Sequence, residues 1–113
     1  MFIKPCETNY ELATTLRAVR TIEKRTGKSI QSIASDIQRM KVDELIAFLS
    51  DGVEPQLKQT FMNEVEDNLS VMQLYRYASD YAYAVMTSGM TDEELGELEE
   101  KNAQALAEMK LNT

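Results

Sequence analysis

The sequence predicts an all-α fold, a compact bundle of about five or six short to medium helices. Three observations carry that expectation. Apolar residues recur at spacings of three and four almost from end to end, with no sustained period-two alternation. Only two prolines interrupt 113 residues. Glycines and Ser/Thr residues stand between the periodic stretches, where helices close and open.

Leu12, Leu16, Val19 and Ile22 repeat at spacings of four and three, and Gly27 follows as a natural C-cap, so a first helix is expected over residues 9 to 26. Ser29 is placed to cap a second short helix carrying Ile30, Ile33 and Ile37. A third follows with Val42, Leu45, Ile46 and Leu49, ended by Gly52. Pro55 sits where a first-turn proline belongs, and Leu57, Phe61, Val65 and Leu69 define a fourth helix over 55 to 68. Ser70 and Gln73 have capping-box spacing, opening a fifth helix to about Ser88; helices four and five could equally be one long bent helix. Thr91 and Glu94 repeat the capping pattern, and Asp92, Glu93 and Glu94 put negative charge at the positive end of a sixth helix dipole. The segment before Asn9 reads as extended around Pro5, with nothing that demands a sheet. The expected core is Leu16, Val19, Ile22, Ile33, Leu45, Leu49, Phe61, Val65, Leu74, Ala78, Tyr81 and Val85. Residues 1 to 90 read as the helical core domain and 91 to 113 as an acidic C-terminal helix, loosely docked or detached.

Composition narrows the function. The longest apolar run, Tyr81 to Met86, falls far short of the roughly 20 residues that a membrane span requires, and the start shows no secretion signal. Cys6 is alone, which excludes an internal disulfide and leaves an incidental thiol in a reducing compartment. Histidine is absent, removing the commonest general base and metal ligand. There is no glycine-rich phosphate loop and no Ser-His or Cys-His pair, so neither an enzyme nor a cofactor site is expected. The acidic run from Asp92 to Glu100 lacks the spacing of a calcium loop, and no metal is expected there. The charge of −7 is uneven: residues 1 to 50 hold eight Lys/Arg against six Asp/Glu, and residues 51 to 113 hold four against thirteen. That balance opposes phosphate backbones, so no nucleic acid is expected as a partner. The segment from Ser29 to Leu49 allows a helix-turn-helix, a DNA-binding regulator being the alternative, but Asp43 and Glu44 would stand where a reading helix needs cations.

What remains points to protein partners. Helix five is nearly apolar all round: Gln73, Arg76 and Asp80 form its polar strip, so it is either central to the bundle or carries a second surface for a partner. The partner surface would comprise Met72, Tyr75, Tyr83 and Met86, residue types favoured at interfaces. In helix six, Leu95, Leu98, Asn102, Ala105 and Met109 form a short heptad seam, making Leu95, Leu98 and Met109 the further candidates for partner contacts or weak self-association. Glu23 falls within the apolar arc of helix one; either it snorkels or meets an Arg, or it accepts backbone amides at the start of helix two as a structural cap.

One pattern, Leu16-x-x-Val19-x-x-Ile22-Glu23-x-x-x-Gly27-Lys28 followed by Ile30, Ile33, Ile37, Leu45-Ile46-x-x-Leu49 and Gly52, resembles the N-terminal part of the small tail assembly chaperones of long-tailed bacteriophages and prophages. The resemblance covers residues 12 to 53. It implies a protein of the bacterial host cytoplasm that binds the tape measure protein, keeps it soluble and brings tail tube protein to it. It also implies a second, longer form made by ribosomal frameshifting. No catalytic residues are carried over.

Overall fold

In the computed structural model, which describes the backbone of residues 1–111 and their side chains except those of 106 and 108–111, four of the six α-helices begin where a side chain takes up a free amide. Thr15 opens α1 (Leu16–Thr26) by accepting the Ala18 amide at 3.3 Å. Gly27, at φ 70°, closes it in a left-handed conformation that favours glycine, and returns its amide to the Glu23 carbonyl. Ser29 caps α2 (Ile30–Asp36), which tightens into a 3-10 turn at Ile37–Arg39. Helix α3 (Val42–Ser50) has no side-chain cap, but Asp43 and Glu44 occupy its first turn. A 3-10 turn at Pro55–Leu57 leads into α4 (Lys58–Asn68). Helix α5 (Val71–Thr87) opens with a complete Ser70/Gln73 capping box, and Thr91 caps α6 (Asp92–Leu111) at the Glu94 amide. The fold is all-α apart from one two-stranded ribbon.

That ribbon revises the first helix. Strands β1 (Phe2–Ile3) and β2 (Tyr10–Glu11) pair antiparallel, with Phe2 opposite Glu11 and Ile3 opposite Tyr10. The pairing continues as the Leu12 amide donates to the Met1 carbonyl at 2.7 Å, and the Ala13 amide donates to the Gly52 carbonyl at 2.8 Å. With residues 10 to 13 paired across the chain in this way, α1 starts only at Leu16. Helices four and five are separate, because Leu69 and Ser70 are both extended, with ψ 142° and 164°.

Helix α5 is the axis of the bundle, with α3 packed along it, α2 beside it and α4 packed on α3. Phe48 and Tyr81 meet with ring centres 5.1 Å apart, and Tyr10 sets its ring edge-on to Phe61 at 5.1 Å. Ile22, Ile33, Leu45, Leu49, Phe61, Val65, Leu74, Ala78, Tyr81 and Val85 are buried, and Val19 is half-buried against them. Leu16 is a correction: it is 80% exposed. Once Leu12 leaves the helix, the inward side of α1 is defined by Ala18 and Ile22, and Leu16 lies roughly 160° and 120° from them at about 100° per residue. The ribbon adds Ile3, Tyr10 and Leu12 to the core.

Two contacts join distant parts of the chain. Arg25 Nε lies 2.8 Å from both carboxylate oxygens of Asp51, whose side chain is only 4% exposed, tying the end of α1 to the end of α3. Tyr81 Oη donates to the Ala13 carbonyl at 2.7 Å, pinning the ribbon to α5. Gly52 lies against that phenol: a Cβ there would fall 2.9 Å from Tyr81 Cζ and 3.0 Å from Leu12 Cβ. Gly52→Ala should therefore destabilise the protein by about 1–3 kcal/mol in urea unfolding, the range for overfilling a packed core.

Burial, followed by the charge of Asp51, pushes the Tyr81 phenol above its ordinary value. A phenol that holds its proton more tightly folded than unfolded stabilises the fold fully below its unfolded value of about 10, and that contribution is lost as pH rises beyond it. Tyr81→Phe should cost about 1 kcal/mol at neutral pH through the lost hydrogen bond, and its stability should fall less steeply than the wild type's above about pH 10. Parallel urea titrations at neutral and alkaline pH measure both effects; equal alkaline slopes would assign the loss to other groups.

Candidate partner-binding surfaces

The capped, one-sided burial of α5 creates its outer face. Leu74, Ala78, Tyr81, Ala82 and Val85 point into the bundle, and the same periodicity turns Met72, Tyr83 and Met86 outward. Met72 is 78% exposed, with Tyr83 and Met86 close to half. Tyr75 lies on the same side but is half-buried, its hydroxyl donating to the Met40 carbonyl at 3.2 Å. It is thus anchored to the loop before α3, while Met72, Tyr83 and Met86 are not held by the core. A shallow groove bounded by Gln38, Met72, Tyr75, Arg76 and Ser79 runs along this side. One side of this helix is central to the bundle, and the other offers apolar side chains to solvent.

On α6, Leu95 and Leu98 are half-buried, and the other described side chains of the helix are exposed. The side chain of Met109 lies outside the described residues. The radius of gyration, 15.3 Å, exceeds the roughly 13 Å of a compact chain of this length, in keeping with a long helix that buries little of its surface.

Glu23 has a defined partner. Its Oε2 accepts the Ile30 amide at 2.9 Å. Ser29 takes the Ser32 amide, so the two side chains divide the free amides of α2 between them. This carboxylate links α1 to α2. Cys6 is exposed, and among the described residues no group of three or more His, Cys, Asp or Glu is placed to hold a metal ion. No described helix is long and apolar enough to cross a membrane. Asp43 and Glu44 are exposed at the start of α3, presenting negative charge where a DNA-reading helix would need cations.

Sequence reasoning missed two surfaces. Phe2 and Leu16 are large exposed apolar residues, hidden from the pattern because a first helix beginning near residue 9 would turn Leu16 inward. Arg17, Arg20 and Lys24 form a basic strip on the outer side of α1, bounding a shallow depression with Thr21 and Glu23. Their spacing of three and four was the available signal, indistinguishable in sequence from the polar complement of an apolar face.

No family model, curated protein or solved structure matches the chain.

The Glu23 contact yields a graded expectation. Glu23→Gln retains an acceptor and should leave stability nearly unchanged, whereas Glu23→Leu should cost about 1 kcal/mol, the scale of a lost helix cap. Denaturant midpoints of the two variants measure the difference; equal midpoints would show that the Ile30 amide gains nothing from the side chain.

Proposed function

We propose that this protein is a non-enzymatic binding protein that acts as a phage tail assembly chaperone, holding the tape measure protein soluble and aiding tail tube assembly in the host cytoplasm. The observation that carries the reading is the outer face of α5, where Met72, Tyr83 and Met86 stand exposed on the helix that forms the axis of the core. Exposed apolar side chains grouped on one face favour a protein partner, and flexible Met side chains adapt to a client of varied sequence. The resemblance over residues 12 to 53 supplies the choice of client. No cofactor is required for such a role.

A chaperone that coats a long helical client gains avidity from many weak contacts. Weak, reversible homo-oligomers are part of this proposal, with the Leu95, Leu98 and Met109 seam of α6 as a contributing surface. Deleting residues 91–113 should leave the first five helices folded, because the described part of α6 adds no fully buried side chain to the core. The same deletion should weaken client binding or oligomerisation. Circular dichroism and light scattering of both forms, followed by co-expression with a phage tape measure protein, test the proposal. A strictly monomeric protein whose presence leaves the solubility of that client unchanged would end it. Titration with mixed duplex DNA at low ionic strength should show no binding, given the charge of −7 and the acidic start of α3.

A further inference from the structure

Helix α1 turns Arg17, Arg20 and Lys24 to solvent along one strip, spaced three then four residues apart. Helix α6 turns Glu93, Glu97 and Glu100 to solvent along another, spaced four then three. At about 1.5 Å per residue both strips are about 10 Å long. Laid antiparallel they match charge for charge: Lys24 with Glu93, Arg20 with Glu97, and Arg17 with Glu100. None of the six belongs to an ion pair among the described residues, where the pairs are Arg25 with Asp51 and Arg39 with Asp36. Leu95 and Leu98 lie on the opposite side of α6 from the acidic strip, so the helix presents its carboxylates outward.

From this complementarity we infer that α6 of one copy docks antiparallel across α1 of a second copy of this chain. The chain's own α1 is placed wrongly for its own α6. Thr14 Oγ1 lies 3.3 Å from Ser88 Oγ, setting the end of α5 beside the beginning of α1. The turn that follows is closed by the Met90 amide on the Thr87 carbonyl, so α6 also starts near that end. The matching register instead needs Glu93 at Lys24, about 12 Å beyond the first residue of α1 at its rise of about 1.5 Å per residue. Lys101 follows the strip and offsets one charge, but residues 92 to 101 still hold six acids against it. Exposed ion pairs are individually weak and screened by salt, so the association is reversible and strongest at low ionic strength. The two surfaces differ, so each copy offers one of each, and contacts either propagate or close reciprocally.

This contact carries the self-association proposed above on the acidic side of α6 rather than on its Leu95 and Leu98 side, and it leaves the client face of α5 untouched, so the two ideas fail separately: loss of client solubility with intact oligomers would concern α5 alone. Sedimentation velocity of the full chain at low salt and near 1 M salt, where the screening length falls to about 3 Å, should show oligomers in the first condition only. Arg20→Glu and Glu97→Arg, both at exposed helix positions checked by circular dichroism, should each weaken association about tenfold. An equimolar mixture of the two variants should restore it, since the carboxylate introduced on α1 of one copy then faces the guanidinium introduced on α6 of the other. Rescue in the mixture cannot come from a contact within one chain. Full association of either single variant, no rescue on mixing, or a monomeric wild type that instead binds duplex DNA through Arg20 would each overturn the inference.

Discussion

The Tyr81 phenol fills the space above Gly52 and places its hydroxyl on the Ala13 carbonyl, and much of the arrangement follows from that one packing event. A buried hydroxyl without a partner is costly, so the chain before α1 must bring a carbonyl to it. That requirement holds residues 10 to 13 extended, which allows the pairing of β2 with β1 and lets α1 start only after its Thr15 cap. Gly52 is the counterpart at the end of α3: its carbonyl takes the Ala13 amide, and its lack of a side chain lets Leu12 and Tyr81 close over it. The ribbon, α3 and α5 are therefore fixed by one another.

Around this centre the short helices depend on their ends. Elements as brief as α2 and α3 are not stable alone, since few internal bonds offset the cost of nucleation. Glu23 and Ser29 share the first amides of α2, and the Arg25 to Asp51 pair joins the end of α1 to the end of α3. Asp51 is nearly covered, so removal of Arg25 would strand a carboxylate with little water to solvate it. These polar contacts hold the angles between helices whose apolar faces alone would permit sliding.

The outer surface divides along the same lines. The inward turn of α5 leaves Met72, Tyr83 and Met86 outside, the inward turn of α1 leaves Arg17, Arg20 and Lys24 outside, and α6 keeps most of its described side chains in solvent. The basic strip and the acidic helix occupy opposite halves of the sequence, the halves that carry its excess of Lys/Arg and of Asp/Glu. The proposed client face and the proposed charged self-contact occupy separate helices, so they need not compete.

Sequence alone determined the fold class, the caps at Ser29, Ser70 and Thr91, and the core positions Leu45, Leu49, Phe61, Val65, Leu74, Ala78, Tyr81 and Val85, though not the buried Phe48, because each depends on neighbours within four or five positions along the chain. The apolar content of helix five and the outward candidates Met72, Tyr83 and Met86 were legible for the same reason. Glu23 was legible as an anomaly, with the amides at the start of helix two as one of its two candidate partners, and the Gly27 turn that brings the Ile30 amide back to it decided between them. Only the tertiary structure decided that Leu12 is buried outside a helix, that Leu16 faces solvent, and that Tyr75 is tied to the Met40 carbonyl. A periodic run records which residues are apolar but not where backbone amides find their acceptors. At Leu12 and Ala13 those acceptors are Met1 and Gly52, 11 and 39 residues away, beyond the reach of any local pattern.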